Sequence, residues 1–117
     1  MVPWPVQQAM LAALTDDAHV AAQRVRYGIR RGHLRSALEG AGYRIEHSDA
    51  GLYLWATQDG ADPATDWFMV AEMAARGILV APGSFYGTAG ARHIRIALTA
   101  TDERTNAAVR RLGAGAR

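Results

Sequence analysis

Residues 78–98 constrain the fold most tightly. An apolar run, ILVA at 78–81, passes through Pro82-Gly83 and a glycine-spaced stretch, SFYGTAGA, before HIRIAL at 93–98, where apolar and other side chains alternate. Strict alternation describes a strand with one buried face, here Ile94, Ile96 and Leu98, and an opposite face of His93, Arg95 and Ala97. Such a strand requires sheet neighbours and a layer to cover its apolar side.

The neighbours are legible. YRIEH at 43–47 alternates, with Tyr43 and Ile45 on one face, and LYLWAT at 52–57 is more uniformly apolar, as expected of a strand covered on both faces. Turn residues 48–51 join them into a hairpin. The spacing predicts a fourth, short strand at 78–81 with Pro82-Gly83 as the turn after it, and a loop over 84–91.

The covering layer is helical. Prolines 3 and 5 forbid regular helix and leave an extended arm over 2–5, after which helix formers at 6–14 give a short helix. Thr15, Asp16 and Asp17 break and re-cap the chain. A long helix then runs to Ala41, its buried stripe marked by Val20, Tyr27, Leu34, Leu38 and Ala41. A loop to Pro63 precedes a helix over 64–76, with Trp67, Val70, Ala71 and Ala74 at helical spacing and Met69 and Met73 as fillers. Thr101 caps a last helix ending at Leu112. The expected fold is therefore an α/β (α+β) small domain with a mostly antiparallel sheet of three or four strands covered by helices.

Composition removes several function classes. At 117 residues, half of them hydrophobic and 21% charged, the chain suits one globular domain. Without cysteine it has no disulfides and no thiolate metal site. The four histidines, 19, 33, 47 and 93, lack metal-ligand spacing, so no metal site is expected. No apolar run approaches the roughly 20 residues of a membrane span, and the first residues do not read as a signal peptide, which predicts a soluble, cytoplasmic protein with no membrane partner. Thirteen basic residues against 11 acidic ones give a net charge of only +2, and the arginines at 24, 26, 30, 31 and 35 spread around their helix, so nucleic acid is not an expected partner. All thirteen basic residues are arginine, so the chain cannot form a lysine Schiff base.

Arg95 is the candidate functional residue. A guanidinium held on a rigid strand suits a bidentate grip on a carboxylate, though a strand arginine can equally serve a structural ion pair or face solvent. The preceding loop could bring backbone near a ligand, with Phe85 or Tyr86 closing over it. It matches no dinucleotide or phosphate-loop fingerprint.

Three stretches, GLYLWAT at 51–57, RGILVAPGSFYG at 76–87 and HIRIALTATDER at 93–104, resemble the C-terminal part of fold-type I pyridoxal-phosphate aminotransferases, and the likeness runs through nearly the whole chain. Their wording is most similar to the N-succinyldiaminopimelate aminotransferases. The resemblance implies that Arg95 grips the α-carboxylate of the amino donor or 2-oxo acid, with Phe85, Tyr86, Gly51 and Tyr53 near the substrate. It implies a homodimer whose arm at 2–5 lies beside an active site. By the same likeness, residues 1–15 are the end of a larger domain and 16–117 the small domain. The family's Schiff-base lysine lies in that larger domain, so the resemblance implies pyridoxal 5′-phosphate in the full-length enzyme, none bound covalently here, and an inactive isolated chain that is a fragment, a separately expressed domain or a truncated product. A non-enzymatic α/β dimerisation module is the alternative.

Overall fold

The computed structural model describes residues 1–60, 62 and 65–115. Four helices, α1 (Trp4–Thr15), α2 (Asp17–Gly40), α3 (Asp66–Ala75) and α4 (Asp102–Ala114), accompany four strands, β1 (Tyr43–Glu46), β2 (Tyr53–Gln58), β3 (Ala81–Pro82) and β4 (His93–Ala97). The strands form one sheet in the order β1-β2-β4-β3, every pair antiparallel. This is the expected α/β architecture, and β1, β2 and β4 fall within a residue of their expected bounds.

Alternation sorts the sheet into two faces. Ile45, Leu54, Ala56, Ile94 and Ile96 point inward with Tyr43 and Leu98 and meet Leu34 and Leu38 of α2, Met69 and Met73 of α3 and Leu112 of α4. β2 is fully covered on that side, and on the other only Thr57 is buried. Tyr53 is 41% exposed on the other, correcting the expectation of a strand buried on both faces. Tyr and Trp gave β2 an apolar reading, yet each has a body and a polar tip that suit an open face.

The remaining differences have local causes. α1 begins at Trp4, not after Pro5, because the first turn of a helix has no use for the amide that proline lacks. The short strand lies at Ala81–Pro82 instead of 78–81 and ends on the proline taken for a turn; an edge position tolerates it. The loop at 84–91 is largely two 3-10 turns, Gly83–Tyr86 and Thr88–Gly90. In α3 the buried residues are Asp66, Met69 and Met73, leaving Trp67 55% exposed, so the methionines form the core face. The expected loop end at Pro63 and helix start at Ala64 lie outside the described residues. α4 continues past Leu112 to Ala114.

α2 is capped as expected, the Asp16 carboxylate accepting from the Ala18 amide at 3.0 Å. Its stripe is buried at Leu34 and Leu38 only; Val20 is exposed, and no residue of α1 is buried. Arg30 anchors α2 to α4 by donating to Asp102 at 2.6 Å and to the Leu98 carbonyl at 3.0 Å. Among the described residues no helix is long and apolar enough to cross a membrane.

Candidate functional site

The open face of the sheet carries the site. Register places Arg95 between Trp55 of β2 and Ala81 of β3, so its side chain leaves the sheet flanked on both sides. Its guanidinium carbon lies 4.1 Å from the Tyr53 ring centroid and 4.7 Å from that of Tyr86. Two aromatic faces so close fix a cation without neutralising it. The Arg95 Nε is buried and has no hydrogen-bond partner, and among the described residues no carboxylate lies within ion-pair distance. A structural ion pair, the alternative left open by the sequence, is thus not formed with any described residue.

Trp55 extends the cluster. It stacks on the His93 imidazole at 4.9 Å with the planes 9° apart and meets Tyr86 edge-on at 6.2 Å. His93 donates through Nε2 to Glu46 at 2.9 Å, leaving a buried Nδ1 without a partner. A proton on Nδ1 would therefore have no acceptor. Burial first, then the positive Arg44 and the neighbouring His47, hold the imidazole below its ordinary pKa. His93 is a neutral, packed part of the Arg95 surroundings, a role its sequence position beside Arg95 hinted at only through the shared face.

The glycine-rich stretch is built for closure. A Cβ placed on Gly83 would stand 2.0 Å from the Gly90 carbonyl oxygen, and one on Gly90 would stand 2.1 Å from that of Gly83. The two backbones touch where side chains would separate them. Asp66 holds the turn from α3. Its carboxylate accepts from the Ser84 amide at 2.9 Å and its own amide donates to the Ala91 carbonyl at 3.1 Å. Burial alone would raise this carboxyl's pKa, but the hydrogen bond from Ser84 first, and then the nearby amides of Trp67 and Asp66 itself, outweigh that and hold it below the ordinary value. Sequence reading missed Asp66, whose position at a helix start suggests only a favourable end charge.

Of the predicted site residues, the structure brings Arg95, Tyr53 and Tyr86 together. Phe85 instead packs edge-on against Trp67, ring centroids 5.7 Å apart, and the Gly51 carbonyl accepts from Arg31. Among the described residues no group of three or more His, Asp or Glu side chains could hold a metal ion. The arrangement can receive a small planar anion at an aromatic-lined guanidinium; it contains no nucleophile and base in contact.

Comparison with known proteins agrees with this reading of the fold. The sequence model of the family described as "Aminotransferase class I and II" matches residues 1–112. The chain is similar to 4-dedimethylamino-4-oxo-anhydrotetracycline transaminase OxyQ of Streptomyces rimosus, at 61% identity over 111 residues, 95% of this chain and 30% of that protein. It is similar to an LL-diaminopimelate aminotransferase of Oleidesulfovibrio alaskensis, at 36% over 108 residues, 92% of this chain and 28% of the relative. Among solved structures, an aminotransferase from Mycobacterium tuberculosis superposes with a TM-score of 0.73 at 26% identity, over 91% of this chain and 28% of that one. The chain spans less than a third of the length of each relative.

Proposed function

Since the chain belongs to the class I and II aminotransferases, we propose that it is the C-terminal substrate-recognition domain of such an enzyme, with Arg95 receiving the α-carboxylate of the amino donor and of the 2-oxo acid. The observation that carries this reading is the Arg95 guanidinium itself: held by two tyrosine rings, lacking a described carboxylate partner, and facing away from the core. A carboxylate arriving there accepts bidentate, charge-assisted hydrogen bonds, which the rings cannot.

Pyridoxal phosphate does not fit the residues of this chain as its anchor. There is no lysine to bond it covalently, and the glycine-rich turn is closed on itself by the Gly83–Gly90 contact, leaving no cradle for a phosphate. Residues 1–15 are read as the end of the larger domain that would hold it, and 16–117 as the small domain. The domain alone is expected to bind carboxylates without transaminating them. Turnover by the purified 117-residue protein would overturn that expectation.

The substrate class follows from chemistry shared by two candidates. The diaminopimelate relative supports an amino acid of the diaminopimelate type, N-succinyldiaminopimelate among them, as in lysine biosynthesis. The more similar OxyQ carries the name of a polycyclic ketone substrate, and there the arginine would serve the amino donor. A panel offering the completed enzyme the diaminopimelate-type amino acid as donor and the polycyclic ketone as acceptor separates them. The apolar exposure of α1 favours association with a second protein surface, and we read the whole enzyme as a cytoplasmic homodimer. The direct test follows the Arg95 Nε–H resonance while acetate and 2-oxoglutarate are added. A saturable shift is expected; no shift would refute the assigned role.

A further inference from the structure

Asp66 is a buried carboxylate that core packing does not call for. Asp66 is 0% exposed, at the first position of α3, and one of its oxygens, Oδ1, is buried without a partner. Burying a charge is costly unless it is well hydrogen-bonded, so an apolar residue here would serve packing better. What Asp66 does instead is tie both limbs of the glycine-rich turn. Its Oδ2 accepts from the Ser84 amide at 2.9 Å, and its own amide reaches the Ala91 carbonyl at 3.1 Å. Two residues beyond Ser84 stands Tyr86, whose ring lies 4.7 Å from the Arg95 guanidinium carbon.

Tyr86 is 52% exposed, so burial does not hold its ring in place. Its ring meets Arg95 and, edge-on, Trp55. Whether the ring reaches these two partners depends on where its backbone lies. That backbone is fixed at its neck by the Gly83–Gly90 contact and, at Ser84, by Asp66. Taking Arg95 as the carboxylate receptor, we propose that Asp66 is a positioning residue that acts through the Ser84 amide and Tyr86 to hold the Arg95 guanidinium in its receiving orientation.

The Arg95 side-chain Nε–H resonance of the whole chain reads this out, because an aromatic ring so near shifts it by ring current. Tyr86→Leu marks the position of that resonance without the ring. Asp66→Ala removes the acceptor, and Asp66→Val removes it while keeping similar volume. Each is expected to move the Arg95 signal most of the way to its Tyr86→Leu position, while the methyl signals of Ile94 and Ile96 stay in place. Asp66→Asn keeps an oxygen for the Ser84 amide and should restore the original position.

An unmoved Arg95 signal in a folded Ala or Val variant would overturn the proposal. So would failure of the Asn rescue, or unfolding of both Ala and Val variants, which would assign Asp66 to the fold alone. Acetate titration of the unsubstituted chain answers the separate question of what Arg95 receives. No response to acetate, together with a displaced Arg95 in the variants, would sink the carboxylate reading and leave the Asp66 linkage standing.

Discussion

At the scale of single residues, Arg95 owes its place to strand register and its chemistry to the absence of a described partner. Arg95→Lys keeps a charge but not the planar fork, so carboxylate affinity should fall about tenfold or more, measured by following the Trp55 indole N–H, present in both proteins, as acetate is added. His93 gives a second expectation. Its pKa is depressed in the folded chain, so the unfolded chain takes up the proton more readily. Its contribution to stability is complete above about pH 6.5 and is lost as pH falls through the lower folded value. Melting temperature should therefore decline from pH 7 to pH 5, and His93→Gln, which keeps a donor for Glu46 without titrating, should flatten that decline. Arg95 could be picked out from the sequence because alternation turned it away from Ile94 and Ile96. Asp66 could not, because its partner Ser84 is 18 residues away and the bond exists only once α3 and the turn have met.

At the scale of elements, periodicity located three of the four strands and all four helices, and failed where a residue type carries two meanings. Pro82 was read as a turn and ends an edge strand; the face of α3 read through Trp67, Val70, Ala71 and Ala74 is instead buried at Met69 and Met73, which were read as packing residues. The glycine spacing announced a loop without announcing its closure, since a contact between Gly83 and Gly90 is a fact of three dimensions. Gly83→Ala or Gly90→Ala should each cost on the order of 3 kcal/mol in urea denaturation, because a methyl group would have to displace backbone. Thr101→Ala offers a contrast. The Thr101 hydroxyl accepts from the Arg104 amide at 3.3 Å, so losing this cap should cost about 1 kcal/mol and leave the Arg95 site intact.

At the scale of the whole molecule, the three-dimensional outline is uneven: a packed sheet and three helices at one end, and α1 with the first turns of α2 projecting from it over a body 52 Å long. Because no residue of α1 is buried, Leu11→Gln and Leu14→Gln should each change stability by less than about 0.5 kcal/mol, while light scattering should report weaker self-association. The sequence stripe could not foretell this exposure, since an apolar helical face looks the same whether or not its partner lies within the chain. The sheet has the opposite character at its rims. On one side β3 is two residues long and ends in a proline that offers no amide; on the other β1 carries Arg44 and Glu46, paired with each other, with Arg44 also bound to Asp59 at 2.9 Å. Short, proline-ended and charged rims resist the addition of further strands. Strand-by-strand growth from either rim is thereby disfavoured, and the uncovered apolar side chains of α1 lie at the other end of the molecule from both rims.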